Sequence, residues 1–218
     1  MAQAIESTRG FQVKESSVAH KMDRSLIDKL VSSAGAVVAV ALFALGGAAI
    51  YGGGFALDNV RDRLEPQRIS FPPAAAMTAE ETAEVGGFAG GKVDTGTEAE
   101  AYSRYIGIHV AEIGGGKSYA ELGSVQFGIE DEIATAEKAG DTALVKDLRG
   151  ELAAVTGQRD TIFKGETLRA ILLNAFGWWT VGQITLYAGI GMAIAGLILA
   201  ALVALGFRHA RKAAPSAA

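Results

Sequence analysis

Two long apolar segments, Val31 to about Leu57 and about Ile171 to Phe207, bracket a polar and charged middle. Each exceeds the roughly 20 residues needed to cross a bilayer core. The pattern predicts an all-α membrane protein, with two transmembrane helices bracketing a small helical extracytoplasmic domain. Residues 1–30 read as a cytoplasmic N-terminal tail, 31–57 as transmembrane helix 1, and 58–170 as the extracytoplasmic domain. Residues 171–207 read as an interfacial segment with transmembrane helix 2, and 208–218 as a cytoplasmic C-terminal tail. The first apolar run is longer than a signal-peptide core and about 30 residues precede it, so it reads as a retained anchor.

Lysine and arginine near the span ends set this orientation in the cell membrane. Arg9, Lys14, Lys21, Arg24 and Lys29 precede the first span, and Arg208, Arg211 and Lys212 follow the second. Arg61, Arg63 and Arg68, just after the first span, weaken the bias without reversing it. Trp178 and Trp179, with Tyr187 further in, read as an aromatic belt at the outer interface.

Neither span carries an ionisable residue in its hydrocarbon zone. Such residues mark proton relays and ion pathways, so a pump or ion-coupled carrier is disfavoured. Asn174, Thr180, Gln183 and Thr185 are the polar groups of note there. Gly182, Gly189 and Gly196 recur every seven positions, and Gly46 lies in the small-residue stripe of the first span. Small stripes let helix backbones approach closely. These four glycines are the expected packing seam, either between the two spans or against a partner subunit.

The middle reads as helical. Leu57, Val60 and Leu64 extend the first helix until Pro66 ends or bends it, and QRISFPP (67–73) should run extended. Thr78 with Glu81 and Ser118 with Glu121 fit capping boxes, and Thr97 followed by Glu98 and Glu100 suggests a third helix start. That third helix puts Tyr102, Tyr105, Ile106, His109, Val110 and Ile113 on one side and stops at Gly114–Gly116. Asp141 can cap a further helix through Leu144, Val145, Leu148, Leu152 and Val155, with interruptions expected at Gly157 and Gly165.

Few catalytic patterns are present. The chain has no cysteine, hence no disulfide, thiolate nucleophile or cysteine-zinc site. GGGKS (114–118) resembles a phosphate-loop fragment, but Ala111 stands where the pattern needs glycine and a helix precedes it. His20 and His209 fall in the tails, leaving His109 alone in the middle, where it reads as a histidine on the edge of a packed helix face, with pairing to Glu112 or a tyrosine as the alternative. Two histidines and a carboxylate for non-haem iron cannot be assembled there from one chain. No cofactor or metal site is expected, and the acidic middle argues against a nucleic-acid partner.

KVDTGTEAEAYSRYIGIHVAEIGGGKSYAE (92–121) and FKGETLRAILLNAFGWWTVG (163–182) carry a resemblance, joined by QRISFPP and the preceding YGGGFALDNVRDRLEPQ. Together they resemble a family of actinobacterial two-span membrane proteins of no assigned activity. The resemblance covers about residues 45 to 200, and the stretch from Gly128 to Gly157 is longer than the family pattern. Some members have been labelled aromatic ring-opening dioxygenases, a label that one histidine and no cysteine in the middle domain argue against. The resemblance implies that Lys164–Trp179 is the most constrained element. Glu166, Arg169, Asn174, Trp178 and Trp179 are then candidates for a docking junction to another membrane protein or a lipid headgroup, or for a plain anchor junction. Arg169 is placed to reach phosphates or the Glu65 region.

Three functions fit these observations. The first is a non-enzymatic accessory or scaffolding component of an envelope or respiratory membrane assembly, partnered by the bilayer and by another membrane protein or itself. The others are an oligomeric pore or carrier and a membrane-anchored enzyme with a site near His109.

Overall fold

The computed structural model describes the backbone of residues 2–213 and the side chains of residues 26–209 and Arg211. Arg9, Lys14, His20, Lys21, Arg24 and Lys212, which entered the sequence argument, lie outside the described side chains. The described residues form five α-helices, α1 (Ala2–Leu64), α2 (Ala79–Val85), α3 (Gly96–Ile113), α4 (Tyr119–Ala139) and α5 (Thr142–Ala213), with short 3-10 turns between them. Among the described residues there is no strand, only an antiparallel bridge between Ser70 and Lys92. Two of the helices, within Leu26–Gln67 and Thr142–His209, are long and apolar enough to cross a membrane.

The helices start where local hydrogen bonds dictate. Thr78 and Ser118 cap α2 and α4 through reciprocal boxes with Glu81 and Glu121. The start of α3 falls two residues before the expected Thr97: Thr95 is the cap, and its side chain and Glu98 complete the box. Asp141 caps α5, its Oδ1 accepting from the Leu144 amide at 3.0 Å. Each such cap contributes about 1 kcal/mol.

The expected breaks at Gly157 and Gly165 do not occur, and α5 runs unbroken for 72 residues. One glycine in a helix costs only about 1 kcal/mol, and packing outweighs that at Gly165. A Cβ there would collide with Val110 of α3, so the missing side chain is what lets α3 lie against α5.

The chain divides into two compact units, one of residues 1–54 with 184–218 and the other of Phe55–Gln183. Residues 171–183, expected to belong with the second span, thus fold with the middle of the chain. In the first unit α1 and α5 pair antiparallel. Ser32, Gly35, Ala39, Leu42, Gly46, Ala49 and Gly53 are among the covered positions of α1. Leu186, Gly189, Ala193, Gly196, Ala200 and Val203 are among those of α5. Both sets alternate steps of three and four residues, the spacing of a left-handed helix pair. A Cβ on Gly189 would sit 2.8 Å from the Gly46 carbonyl oxygen, and one on Gly196 would sit 3.3 Å from Leu42 Cβ. Backbone meets backbone, with no room for a side chain.

The middle unit has three apolar clusters. The largest joins Val60 and Leu64 of α1, Phe71 of the 65–77 strap, Val85, Val93, Ala99, and Leu172 and Trp179 of α5. A second joins Val110, Leu122 and Ile162, and a third joins Ile129, Ile133, Ala136 and Leu148 of the α4–α5 hairpin. The strap is fixed by backbone bonds from Phe71 N to Gly91 O (2.9 Å), Gly90 N to Pro72 O (2.9 Å) and Val93 N to Ile69 O (3.0 Å).

Gly189→Leu and Gly46→Leu should each lower the thermal stability of the detergent-solubilised protein, since overpacking costs roughly 1–3 kcal/mol. Gly47→Leu, where a Cβ meets nothing within 4 Å, should leave it unchanged. Equal melting temperatures for all three would contradict the close α1–α5 contact.

Candidate functional site

Within the middle unit, α5 receives α3 at points where one helix lacks a side chain. Trp179 lies against Gly96, and any Cβ at position 96 would strike the indole. The Arg61 guanidinium lies over the same ring, 5.8 Å from its centroid. Trp179 is only 7% exposed and belongs to the largest core cluster; its indole N–H is buried without an acceptor among the described residues. Expected beside Trp178 in an interfacial belt, it is instead a core anchor, because α3 covers its side of the helix. Trp178, one residue away, remains 60% exposed.

Arg169 occupies a similar seat one helical stretch earlier. Its Nε donates to the Ser103 carbonyl (3.1 Å) and its Nη1 to Glu166 Oε1 (2.7 Å). A Cβ on Gly107 would be 3.1 Å from the guanidinium carbon, so that glycine opens the way to the α3 backbone. The expected reach toward Glu65 is not made; the guanidinium is spent on α3 and on its own helix. Glu166 and Asn174 are exposed. Of the five junction residues, the structure brings Glu166 and Arg169 together, buries Trp179, and leaves Asn174 and Trp178 on the surface. Of the four seam glycines, Gly46, Gly189 and Gly196 lie on the α1–α5 face, and Gly182 is buried in the middle unit.

The outward side of this stretch mixes large apolar side chains with the exposed Lys164, Thr167 and Asn174. Leu168, Ile171 (62% exposed) and Trp178 face out from α5. Alongside, the last turns of α1 carry Asp58, Arg61, Asp62 and Arg63, with Val60 and Leu64 packed in one cluster with Leu172 and Trp179. One helix is charged at the level where its neighbour still presents apolar side chains.

A second polar constellation ties α2 to α3. Glu81, its side chain 5% exposed, takes the His109 Nε2 at 3.0 Å on Oε1 and the Thr78 amide at 2.7 Å on Oε2. The Thr78 amide and hydroxyl and the His109 charge hold its carboxyl below the ordinary range, against the opposing effect of burial. The imidazole meets Tyr105 edge-on at 4.7 Å, and Tyr105, Tyr102, Phe71 and Phe88 continue as an aromatic stack. Burial raises the pKa of both phenols, with the Glu81 charge adding to the rise at Tyr105. The partner of His109 is therefore neither Glu112 nor a tyrosine hydroxyl, but a carboxylate 28 positions upstream in a different helix. Sequence offered one hint: an N3 glutamate has two oxygens, and a capping box uses only one of them.

The GGGKS turn is a helix stop followed by a cap. Gly115 and Gly116 adopt φ of +58° and +79°, conformations that glycine takes without strain. The turn borders an open cavity of about 480 Å³ that also meets Glu121, Glu166 and Arg169. Lys117 and Arg169 face two carboxylates there, and the α4 N-terminus already holds the Glu121 carboxylate on the Ser118 amide (2.7 Å). Nothing in that balance favours a phosphate. Among the described residues, no three His, Cys, Asp or Glu side chains are grouped to hold a metal ion.

Comparison with protein-family models, with curated proteins and with solved structures found no match to the chain.

Two outcomes follow from this geometry. In W178F the remaining Trp179 should emit at short wavelength and resist acrylamide; in W179F the remaining Trp178 should emit further to the red and quench readily. Equal quenching would contradict the burial difference. The N3 glutamates Glu81, Glu98 and Glu121 all have depressed pKa values. Their stabilisation is complete above the ordinary glutamate range and is lost as pH falls through the depressed values. Melting of the protein should therefore drop in acid below that range, and the triple change to glutamine should flatten the drop, as followed by circular dichroism.

Proposed function

We propose that the chain is a non-enzymatic integral membrane protein, an accessory or scaffolding component of an envelope or respiratory membrane assembly. Both termini lie in the cytoplasm and the middle unit lies outside, with the actinobacterial two-span family as its relatives. Its partners are the bilayer and another membrane protein, and nucleic acid is not among them.

Membrane residence is supported by what the two apolar helices leave uncovered. Only 11% and 6% of their most apolar windows is buried, unlike the core helix of a water-soluble protein. Val37, Val40, Ile194, Leu197 and Leu202 all face outward, a surface that lipid tails satisfy and water does not. Lys29, Arg208 and Arg211 near the span ends favour cytoplasmic termini.

The observation that carries the scaffolding role is the exposed Leu168–Ile171–Trp178 face of α5, set beside the charged end of α1. Exposed aromatic and aliphatic side chains grouped beyond a charged boundary mark an interaction surface. The pore reading is weaker because α1 and α5 of one chain already close the Gly46–Gly189–Gly196 face. The enzyme reading is weaker because the Glu81–His109 pair joins two helices, and no third metal-ligating side chain accompanies it among the described residues.

The absence of cysteine makes topology directly measurable. Ser124→Cys should react with a membrane-impermeant maleimide in intact cells and His209→Cys only after permeabilisation; the reverse pattern would overturn the orientation. A photo-crosslinking residue at Ile171 or Trp178 should capture a discrete second polypeptide, whereas one at the exposed Glu151 should not. Purification in mild detergent as a lone monomer, with no adduct at either junction position, would sink the scaffolding role.

A further inference from the structure

Part of the middle unit is a two-helix hairpin, α4 and α5 packed antiparallel through Ile129, Ile133, Ala136 and Leu148, with Val145, Leu152 and Val155 partly covered. Two helices cover each other on one side only, and here the uncovered side is shaped. An open groove of about 390 Å³ runs between them near the Gly140 turn. Its floor is apolar, formed by Ala136, Ala139, Leu144 and Leu148, and Leu144 is 46% exposed in it. Its rim is acidic, formed by Asp131, Glu132 and Asp141. Among the described residues none of these three carboxylates has an ion-pair partner, although Asp141 also caps α5.

The charge extends well past the rim. Residues 119–163 hold nine acidic and four basic side chains, so the hairpin accounts for all of the net charge of −4 carried by the whole chain. That imbalance selects the occupant. A second copy would bring another acidic hairpin against the first, and an anionic bilayer surface would repel it. A helix with an apolar stripe between lysines and arginines would cover Leu144 and Leu148 while neutralising Asp131 and Glu132. We propose that the α4–α5 hairpin is a docking site for a basic amphipathic helix of a partner protein, which adds to it as the third helix of a bundle. This is helix-in-groove recognition, with apolar contact supplying the affinity and rim charge the choice of partner. The inference stands on the hairpin alone and does not need the Leu168–Ile171–Trp178 face.

The test uses the full chain in a neutral detergent and two synthetic helical peptides of three heptads. Both have leucine at the core positions; one has lysine and arginine at the flanking positions and its twin has glutamate. Fluorescence anisotropy should show binding of the basic peptide at least tenfold tighter than the acidic one, weakening as salt rises. The double change D131K/E132K should cost tenfold or more in that binding, as should Leu144→Asp, with melting curves showing both variants folded. Glu151→Lys removes an acidic charge outside the groove and should change binding less than twofold. Equal binding of the two peptides, or groove variants that bind as well as wild type, would overturn the proposal. So would an equal loss in Glu151→Lys, which would reduce the effect to bulk charge. Self-association of the chain that Leu144→Asp abolishes would overturn it too, by naming a second copy as the occupant.

Discussion

Close approach of other helices to α5 is the constraint on which the packing of this chain depends. The tightest contacts occur where a side chain is missing on one partner: Gly46 and Gly189 between α1 and α5, Gly96 under Trp179, Gly107 under Arg169, Gly165 under Val110 and Gly123 under Arg159. A glycine in a helix costs about 1 kcal/mol, and at these positions contacts that only glycine permits offset the cost. Several of these contacts admit a large rigid group rather than another backbone. The Trp179 indole and the Arg159 and Arg169 guanidiniums each fill the space that a glycine leaves.

The physics of the contacts differs between the two units. In residues 26–54 and 184–209 the closest contacts fall on small residues such as Gly46, Gly189 and Gly196, and many large side chains, Val37, Val40, Ile194 and Leu197 among them, point away. In the membrane setting proposed above, lipid tails are as apolar as leucine, so packing large side chains inward would gain little, whereas close backbone contact gains dispersion energy. In the middle unit the order is reversed. Large aromatic and aliphatic groups fill the core clusters, and buried polar groups such as Glu81 and the Ser103 carbonyl are paired, with His109 and Arg169; among the described residues the Trp179 indole N–H and Arg159 Nε are the exceptions. Inward apolar clusters with paired buried polar groups suit the aqueous setting proposed for this unit.

Three glutamates carry much of the local order in that unit. Glu81, Glu98 and Glu121 each close a capping box, and Glu81 uses its second oxygen to fasten α3 to α2. With no cysteine in the chain, these charge-assisted bonds and the aromatic stack around Phe71 take the place that disulfides hold in many small secreted domains. The arrangement leaves the stability of the unit tied to ionised carboxylates.

The sequence by itself determined what short-range physics decides. The two apolar runs, the boxes at Thr78 and Ser118, the Asp141 cap, the end of α1 before Pro66 and the stop at Gly114–Gly116 all depend on partners within four residues or on the length of one run. Even there a rival cap two residues away displaced one boundary, Thr95 in place of Thr97. Tertiary structure alone decided which of two adjacent tryptophans is core, that His109 meets Glu81, and that Arg169 turns to α3 rather than toward Glu65. It also carried α5 through Gly157 and Gly165 without a break. These outcomes rest on contacts between residues far apart in the chain, such as the 66 positions separating Arg169 from Ser103. Periodicity assigns a residue to a helix face, but only the packed neighbours determine whether that face meets protein, lipid or water.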